Sequence, residues 1–190
     1  MIAKTTIMRK LIREAWKCGL LSVSCRMGHI KISGGHWIYL RKEGKLPNKL
    51  AAAVIELTGE LPEEGCAYTA GPGGNQEGLY DPALFLTGIP QERGQPLFKT
   101  ALMATHGSKR YRIYQEYAGE IRAVNEIFQE AVEDAAPEDG ETKTEGPFKG
   151  VGHSIYWENN AELLVAMEVD LDDVLGEVIK DALKEAPIPQ

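Results

Sequence analysis

The stretch SCRMGHIKISGGHWIYLRK, residues 24–42, carries the strongest local folding signal in the chain. Two runs rich in Ile, Trp and Tyr flank Gly34-Gly35. A two-residue Gly-Gly loop with positive φ at both positions suits the mirror-image turns of β-hairpins. Such a turn would pair Ser33 with His36. The sequence therefore predicts a β-hairpin centred on the two glycines.

A second tight turn precedes this hairpin at Met27-Gly28 and would bring residues 20–26 in as a third strand. Alternation along the three strands predicts one face for the core. Its members are Leu21, Val23, Cys25, Ile30, Ile32, Trp37 and Tyr39. The opposite face is polar and comprises Ser22, Ser24, Arg26, His29, Lys31, Ser33 and His36.

A metal site is the alternative interpretation of this stretch, because Cys25, His29 and His36 lie close together in sequence and Cys18 precedes them. The spacing C-x6-C-x3-H-x6-H matches none of the usual zinc-ligand patterns, and alternation places Cys25 on the face opposite to both histidines. We therefore predict no metal and no cofactor, with Cys25 as a buried structural cysteine. The three cysteines, of which Cys66 is the last, are too few for a disulfide framework and odd in number.

Helical patterns flank this three-stranded meander on both sides. Thr6 can cap a helix over residues 7–17, and KLAAAVIELTG (residues 49–59) predicts a second helix that ends at a glycine. The resulting order of helix, three strands and helix is similar to that of double-stranded RNA-binding domains, which read A-form shape through phosphate and hydroxyl contacts. The Lys-rich start of that family's last helix is represented here by Lys45 and Lys49.

The second half of the chain has its own recognisable segments. Residues 109–115 (KRYRIYQ) alternate like an exposed strand, and residues 116–135 carry apolar side chains at helical spacing, which predicts one long helix. Residues 136–150 are acidic and rich in Pro and Gly, a composition typical of a mobile surface loop.

A second hairpin and a last helix follow that loop. We expect the hairpin to turn at Asn159-Asn160, with buried side chains at Tyr156, Leu163, Val165, Met167 and Val169. Asp170 or Asp172 would cap the final helix. The prediction for residues 1–190 is a single α+β domain of antiparallel sheets with flanking helices. In it, an N-terminal helix–meander–helix unit precedes an acidic helix–hairpin–helix half. It would form either one body or two lobes, a basic one over residues 1–100 and an acidic one over 101–190.

Charge divides the chain between its two halves. Residues 1–114 contain 16 Lys and Arg against 9 Asp and Glu, whereas residues 115–190 contain 5 against 19. One interpretation is that the two halves neutralise each other where they pack together. The other is that each half presents a recognition face, the basic one to nucleic acid or an acidic partner and the acidic one to a basic protein.

The second interpretation defines two candidate binding surfaces. The polar sheet face could hold phosphates, and its candidate residues are Arg26, His29, Lys31 and His36. The acidic loop could bind a basic protein or occupy a nucleic-acid channel by imitating phosphate. Its candidate residues are Glu138, Asp139, Glu141 and Glu145.

Catalytic patterns are sparse. His106-Gly107-Ser108 resembles half of the paired H-x-S/T motif of some phosphoesterases, but His153 is followed directly by Ser154 and does not complete the pair. No nucleophile elbow is present. His106 and His153 are therefore acid–base candidates only for a hydrolase.

The remaining expectations concern location and function. No apolar run is long enough to span a membrane, and arginines interrupt the apolar N-terminal segment, so we expect a cytoplasmic protein without a membrane partner. We predict a small non-catalytic interaction or inhibitor protein, of the kind that mobile elements encode, docking through charged surface on a nucleic-acid-handling protein. The first alternative is nucleic-acid binding by the basic sheet face, and the second is a small phosphoester hydrolase.

Overall fold

The structure, a computed structural model, describes residues 1–41, 46–77, 93–137 and 140–171. The helices in these ranges are α1 (Thr5–Lys17), α2 (Asn48–Thr58) and α3 (Glu126–Val132). The first five strands are β1 (Leu21–Arg26), β2 (His29–Gly34), β3 (Trp37–Arg41), β4 (Ala67–Gly71) and β5 (Gly74–Glu77). The later strands are β6 (Phe98–His106), β7 (Lys109–Gln115), β8 (Ile121–Asn125), β9 (Glu145–Lys149), β10 (Ser154–Glu158) and β11 (Glu162–Met167).

The described strands form two antiparallel sheets. A large sheet has the order β5-β4-β1-β2-β3-β11-β10-β9, and a small sheet has the order β6-β7-β8. Because β3 pairs with β11, both halves of the sequence contribute to the large sheet. The predicted combination of antiparallel sheets with flanking helices is thus confirmed, and α1, the β1–β2–β3 meander and α2 follow one another as expected.

The meander is confirmed, but its second turn lies one residue later than predicted. Trp37 pairs with Gly34, so the turn consists of Gly35 and His36. Relative to the prediction, the register along β3 shifts by two residues. Side chains alternate between faces with a period of two, so this shift leaves those of β3 on their predicted face.

Gly34 is required for space rather than for positive φ. Neither Gly34 nor Gly35 has the positive φ that we expected. A Cβ atom at position 34 would lie 2.5 Å from Nε1 of Trp37 and 3.0 Å from Cβ of Ala15. The strand and α1 therefore approach each other more closely than any other residue allows.

Substituting Gly34 with alanine is expected to lower the free energy of unfolding by about 1–3 kcal/mol, because the indole of Trp37 and α1 must both move. Urea denaturation measures this loss. The matched control is Gly35→Ala, whose Cβ would meet only Cδ1 of Leu20, at 3.1 Å. Equal stability of the two variants would contradict the close packing described here.

The main core lies between the helices and the inner face of the large sheet. The meander contributes Leu21, Val23, Ile32, Trp37 and Tyr39, all at most 2% exposed, whereas Cys25 and Ile30 on the same face are only half-buried. Helix α1 supplies the buried stripe Met8, Leu11, Ile12 and Ala15. The predicted Thr6 cap is wrong, since α1 begins at Thr5 and its N-cap, Lys4, makes no side-chain capping bond.

The outer face of the large sheet is not polar throughout. Its half over β3, β11, β10 and β9 is apolar and forms a second cluster. The buried members of this cluster are Phe148, Tyr156, Leu163 and Val165, with Ile38 and Leu40 packed against them. The expected burial of Tyr156, Leu163 and Val165 is confirmed, whereas Met167 is 44% exposed.

The long helix predicted over residues 116–135 is wrong in its first part. Residues 121–125 form β8, which pairs with β7, and α3 begins only at Glu126. The side chain of Asn125 caps α3 by accepting a hydrogen bond from the Ile127 N–H at 3.1 Å. A short run with Ile and Val fits a strand as well as a helix, and here pairing with β7 decides between them.

The helix–hairpin–helix arrangement of the second half is therefore not confirmed. The β10–β11 hairpin is present, with Glu158 paired to Leu163 across a turn that contains Asn159 and Asn160. Asp172 and nearly all of the predicted last helix lie outside the described residues. Part of the predicted loop over residues 136–150 forms β9. No helix among the described residues combines the length and apolar character needed to cross a bilayer.

Candidate functional site

Three of the predicted phosphate-binding residues lie together at one end of the meander. Arg26 pairs with His29 across the first turn, and Lys31 pairs with Ser24. Arg26 is exposed, whereas His29 and Lys31 are half-buried. The Nδ1 atom of His29 is buried and makes no hydrogen bond within the described residues. The structure therefore brings part of the predicted basic surface together.

His36 is separate from this group. It occupies the turn at the other end of β2, about 17 Å of strand away from His29, and its ring contacts Phe128 edge-on at 5.9 Å. Burial and the nearby charge of Lys109 lower the pKa of His36, so the ring resists protonation. The four predicted residues thus do not form one surface.

An acidic side chain lies at the same end of the meander as Arg26. The Glu64 carboxylate accepts hydrogen bonds from the N–H groups of Met27 and Gly28, the latter at 3.1 Å, and from Sγ of Cys25 at 3.5 Å. The backbone hydrogen bonds lower the pKa of Glu64. An ionised carboxylate beside the turn offsets the positive charge of Arg26, which weakens this site for phosphates.

The polar face is also partly inaccessible. Ser22 and Ser33, paired across β1 and β2, are 5% and 1% exposed. They could not donate hydrogen bonds to a phosphate at the surface. The basic sheet face is therefore a small patch around Arg26 rather than a continuous surface.

The two catalytic candidates are not brought together. His106 pairs with Lys109 at one end of the small sheet. The carbonyl of His153 accepts the N–H of Glu168, whose carboxylate binds Arg122 near the other end of that sheet. About 17 Å of β7 separates these two ends. A phosphoester hydrolase that uses both histidines has no support in this arrangement.

Arg122 is the centre of a charged clamp between the two sheets. It binds the carboxylates of Glu116 and Glu168, and Glu116 also binds the ammonium group of Lys149 at 3.1 Å. Burial raises the pKa of Glu168. Burial acts in the same direction on Glu116, but hydrogen bonds from Arg122 and Lys149 outweigh it and lower its pKa. The clamp connects β8 to β9 and to the end of β11.

The acidic loop residues have internal partners where the structure describes them. Glu141 is buried and binds both the N-terminal ammonium group and Arg41. Glu145 binds the exposed Arg93. Glu138 and Asp139 lie outside the described residues. Our expectation that all four acids are exposed loop charges is therefore wrong for Glu141.

A buried ionic network surrounds Glu162, and no local sequence pattern indicated it. This side chain is fully buried and accepts hydrogen bonds from Tyr39 Oη at 2.6 Å, from Arg41 at 2.8 Å and from the Ile2 N–H. Burial, reinforced by the charge of Glu162, raises the pKa of Tyr39. Arg41 connects this network to Glu141. Its role is structural, because it lies in the interior.

Ion pairs between the two sequence halves account for much of the charge asymmetry. Among the described residues, five Lys and Arg side chains of the first half bind acids of the second half. The pairs are Arg41 with Glu141 and Glu162, Arg93 with Glu145 and Glu158, Lys99 with Glu133, Arg110 with Glu130, and Arg112 with Glu126. These contacts agree with the interpretation that the halves neutralise each other.

Helix α1 carries several of the cations that this pairing leaves over. Arg9, Lys10 and Lys17 are exposed on its solvent face, and within the described part of the chain none of them has an ion-pair or hydrogen-bond partner. Arg13 lies between them and binds Glu56 of α2 at 3.1 Å. Residues 9, 13 and 17 are spaced by four, so they follow one side of the helix. We call Arg9, Lys10, Arg13 and Lys17 the α1 stripe.

The described residues contain no group of three or more His, Cys, Asp and Glu side chains arranged to hold a metal ion. Comparisons with protein-family models, with curated proteins and with solved structures find no match to this chain.

Proposed function

We propose that this chain is a non-catalytic interaction protein that docks on a partner protein through the α1 stripe. The observation that carries the proposal is the contrast between α1 and the cations that form ion pairs between the two sequence halves. Arg41 of β3, Lys99 of β6, and Arg110 and Arg112 of β7 have internal acidic partners, whereas Arg9, Lys10 and Lys17 have none in the described ranges.

The surface around the stripe favours a protein over a nucleic acid. Ile55 on the neighbouring helix α2 is 42% exposed and precedes Glu56, the partner of Arg13. An apolar side chain beside charges is typical of protein interfaces. The net charge of −7 would repel a polyphosphate at long range. The partner surface that fits best is acidic, with apolar contacts at its centre.

The partner class predicted from the sequence, a nucleic-acid-handling protein, and the mobile-element origin belong to the same proposal. The predicted acidic docking residues now support it less, because Glu141 and Glu145 have internal partners. Identification of the partner tests both the partner class and the mobile-element origin.

Capture of a partner from cells of the source organism tests the docking surface. We expect the wild-type chain to retain a protein that Arg9→Ala with Lys17→Ala binds about tenfold more weakly, since the variant removes two charge interactions of about 0.7 kcal/mol each. Mass spectrometry identifies the retained protein, and its affinity for each variant is then measured.

The matched control is Arg26→Ala with Lys31→Ala, which removes the same charge from the sheet end of the meander. This variant should capture the partner as the wild type does. If it loses capture while the α1 variant keeps it, the sheet face is the binding surface and the α1 assignment is wrong.

Direct nucleic-acid binding is the second candidate function, since a row of cations along a helix can also follow a phosphate backbone. The same α1 stripe would supply the contacts. The salt dependence of the affinity for a labelled duplex distinguishes this candidate from protein docking.

A further inference from the structure

Two of the three cysteines face each other across neighbouring strands. Ser24 and Ala67 form the last regular pair of β1 and β4, and Cys25 and Cys66 come next. The Cys25 N–H donates to the Cys66 carbonyl at 3.0 Å, and the Gly65 N–H donates to the Cys25 carbonyl at 2.8 Å. Gly65 has φ of 85°. This is a β-bulge with glycine at its first position, and it places Cys66 opposite Cys25.

The backbone at this position is compatible with a disulfide. Hydrogen-bonded residues opposite each other on antiparallel strands have Cα atoms about 5.5 Å apart, and disulfides join Cα atoms about 4.4–6.8 Å apart. Burial, then Glu64 and then the neighbouring Cys66 raise the pKa of the Cys25 thiol, which agrees with two thiols in close proximity. The backbone spacing expected for this pair lies within the range that a disulfide spans.

The two thiols differ in access, which gives them different roles. Cys66 is exposed, so it is the one that meets a reagent from solution. Cys25 is half-buried, and its Sγ lies 3.5 Å from the Glu64 carboxylate. Cys18 is exposed at the end of α1, before β1 begins, so the part of β1 from Leu21 to Cys25, about 13 Å long, separates it from Cys25.

We propose that Cys25 and Cys66 are a reversible thiol-modification site that forms an internal disulfide by exchange with a low-molecular-mass disulfide. The Cys66 thiolate attacks one sulfur of that reagent and releases its first thiolate. Cys25 then attacks Sγ of Cys66 and releases the second. The two thiols of the chain are oxidised to one disulfide, the reagent is reduced to two thiols, and these take up the two protons.

The disulfide would fix the end of the meander that carries Arg26, Met27 and the Glu64 turn. It closes a loop from β1 to β4, so the oxidised chain should resist urea better than the reduced chain. The inference is independent of the proposed docking function, because it involves no residue of the α1 stripe.

Oxidised glutathione is the probe for this site in the full chain. We expect Cys25 and Cys66 to lose their free thiols together, whereas the exposed Cys18 reacts separately as a single thiol. In Cys18→Ser, the intact mass should decrease by two hydrogen atoms, with no glutathione retained. Peptide mapping should then find the peptide with Cys25 joined to the peptide with Cys66.

Single variants separate this result from general thiol oxidation. Cys18→Ser should form the disulfide at the wild-type yield. Cys25→Ser should instead retain one glutathione on Cys66. Cys66→Ser is a second test of whether the internal disulfide needs Cys66, and because Cys66 is exposed, this substitution cannot disturb the core. Glutathione retained on wild-type Cys66, a disulfide that includes Cys18, a disulfide-linked dimer, or no reaction would each overturn the proposal.

Discussion

The substitution Glu162→Ala is expected to lower the free energy of unfolding by about 3–5 kcal/mol, the usual cost of breaking a buried ion pair. It removes the acceptor for Tyr39 Oη and the Ile2 N–H, both of which are buried, and leaves Arg41 with Glu141 as its described anionic partner. Urea denaturation of the full chain measures the loss.

The matched control for this prediction is Glu145→Ala. This carboxylate has 48% side-chain exposure and binds an arginine that is also exposed, Arg93. An exposed pair contributes about 1 kcal/mol or less. If Glu162→Ala and Glu145→Ala lose the same small amount of unfolding free energy, the network around Glu162 does not stabilise the fold. The large sheet would then be held together by apolar packing alone.

A second large effect is expected for Arg122→Ala, about 3 kcal/mol at neutral pH. Without this guanidinium, Glu168 loses its cationic hydrogen-bond partner, and Glu116 keeps Lys149 as its cationic partner among the described residues. Burial already raises the pKa of Glu168, so it takes up a proton earlier than an ordinary carboxyl as the pH falls. A neutral Glu168 no longer needs the cation, and the loss should therefore become smaller at mildly acidic pH.

Glu120→Ala is the control for the Arg122 variant. Glu120 is 65% exposed and lies 3.7 Å from Arg122, so its removal should change the stability by less than about 0.5 kcal/mol at any pH. A loss in Arg122→Ala that grows as the pH falls would show that Glu168 is ionised throughout, and would contradict the account of the clamp.

The meander could be predicted from sequence because its information is local. Alternating apolar residues and two tight turns lie within residues 20–41, and the partners are few positions apart. The turn was misplaced because Gly34 and Gly35 fit a mirror-image turn by composition alone. The close approach of Trp37 to Gly34, which decides where the turn lies, also depends on the packing of α1.

The rest of the fold and of the candidate site depends on contacts between distant parts of the chain. The pairing of β3 with β11 and the bond from Arg41 to Glu162 join residues 121 positions apart or more. Local patterns therefore could not show that Glu141 and Glu162 are buried. Cys25 and Cys66 likewise meet only because β4 pairs beside β1. The charge asymmetry was readable from sequence, and internal pairing was one of its two interpretations, but the side chains that form the pairs were not readable.

The central claim is that the chain binds a protein partner, and that α1 makes the contact. Its most direct test is equilibrium binding of the wild type and of Arg9→Ala with Lys17→Ala, measured against the captured partner and against a labelled duplex at several salt concentrations. We predict that the partner binds the wild type about tenfold more tightly than the α1 variant, and that the duplex does not bind at physiological salt. The contrary result is tight duplex binding whose salt slope falls by roughly two in the α1 variant, about 0.9 for each phosphate that the variant no longer neutralises. That result would contradict protein docking and establish the nucleic-acid function instead.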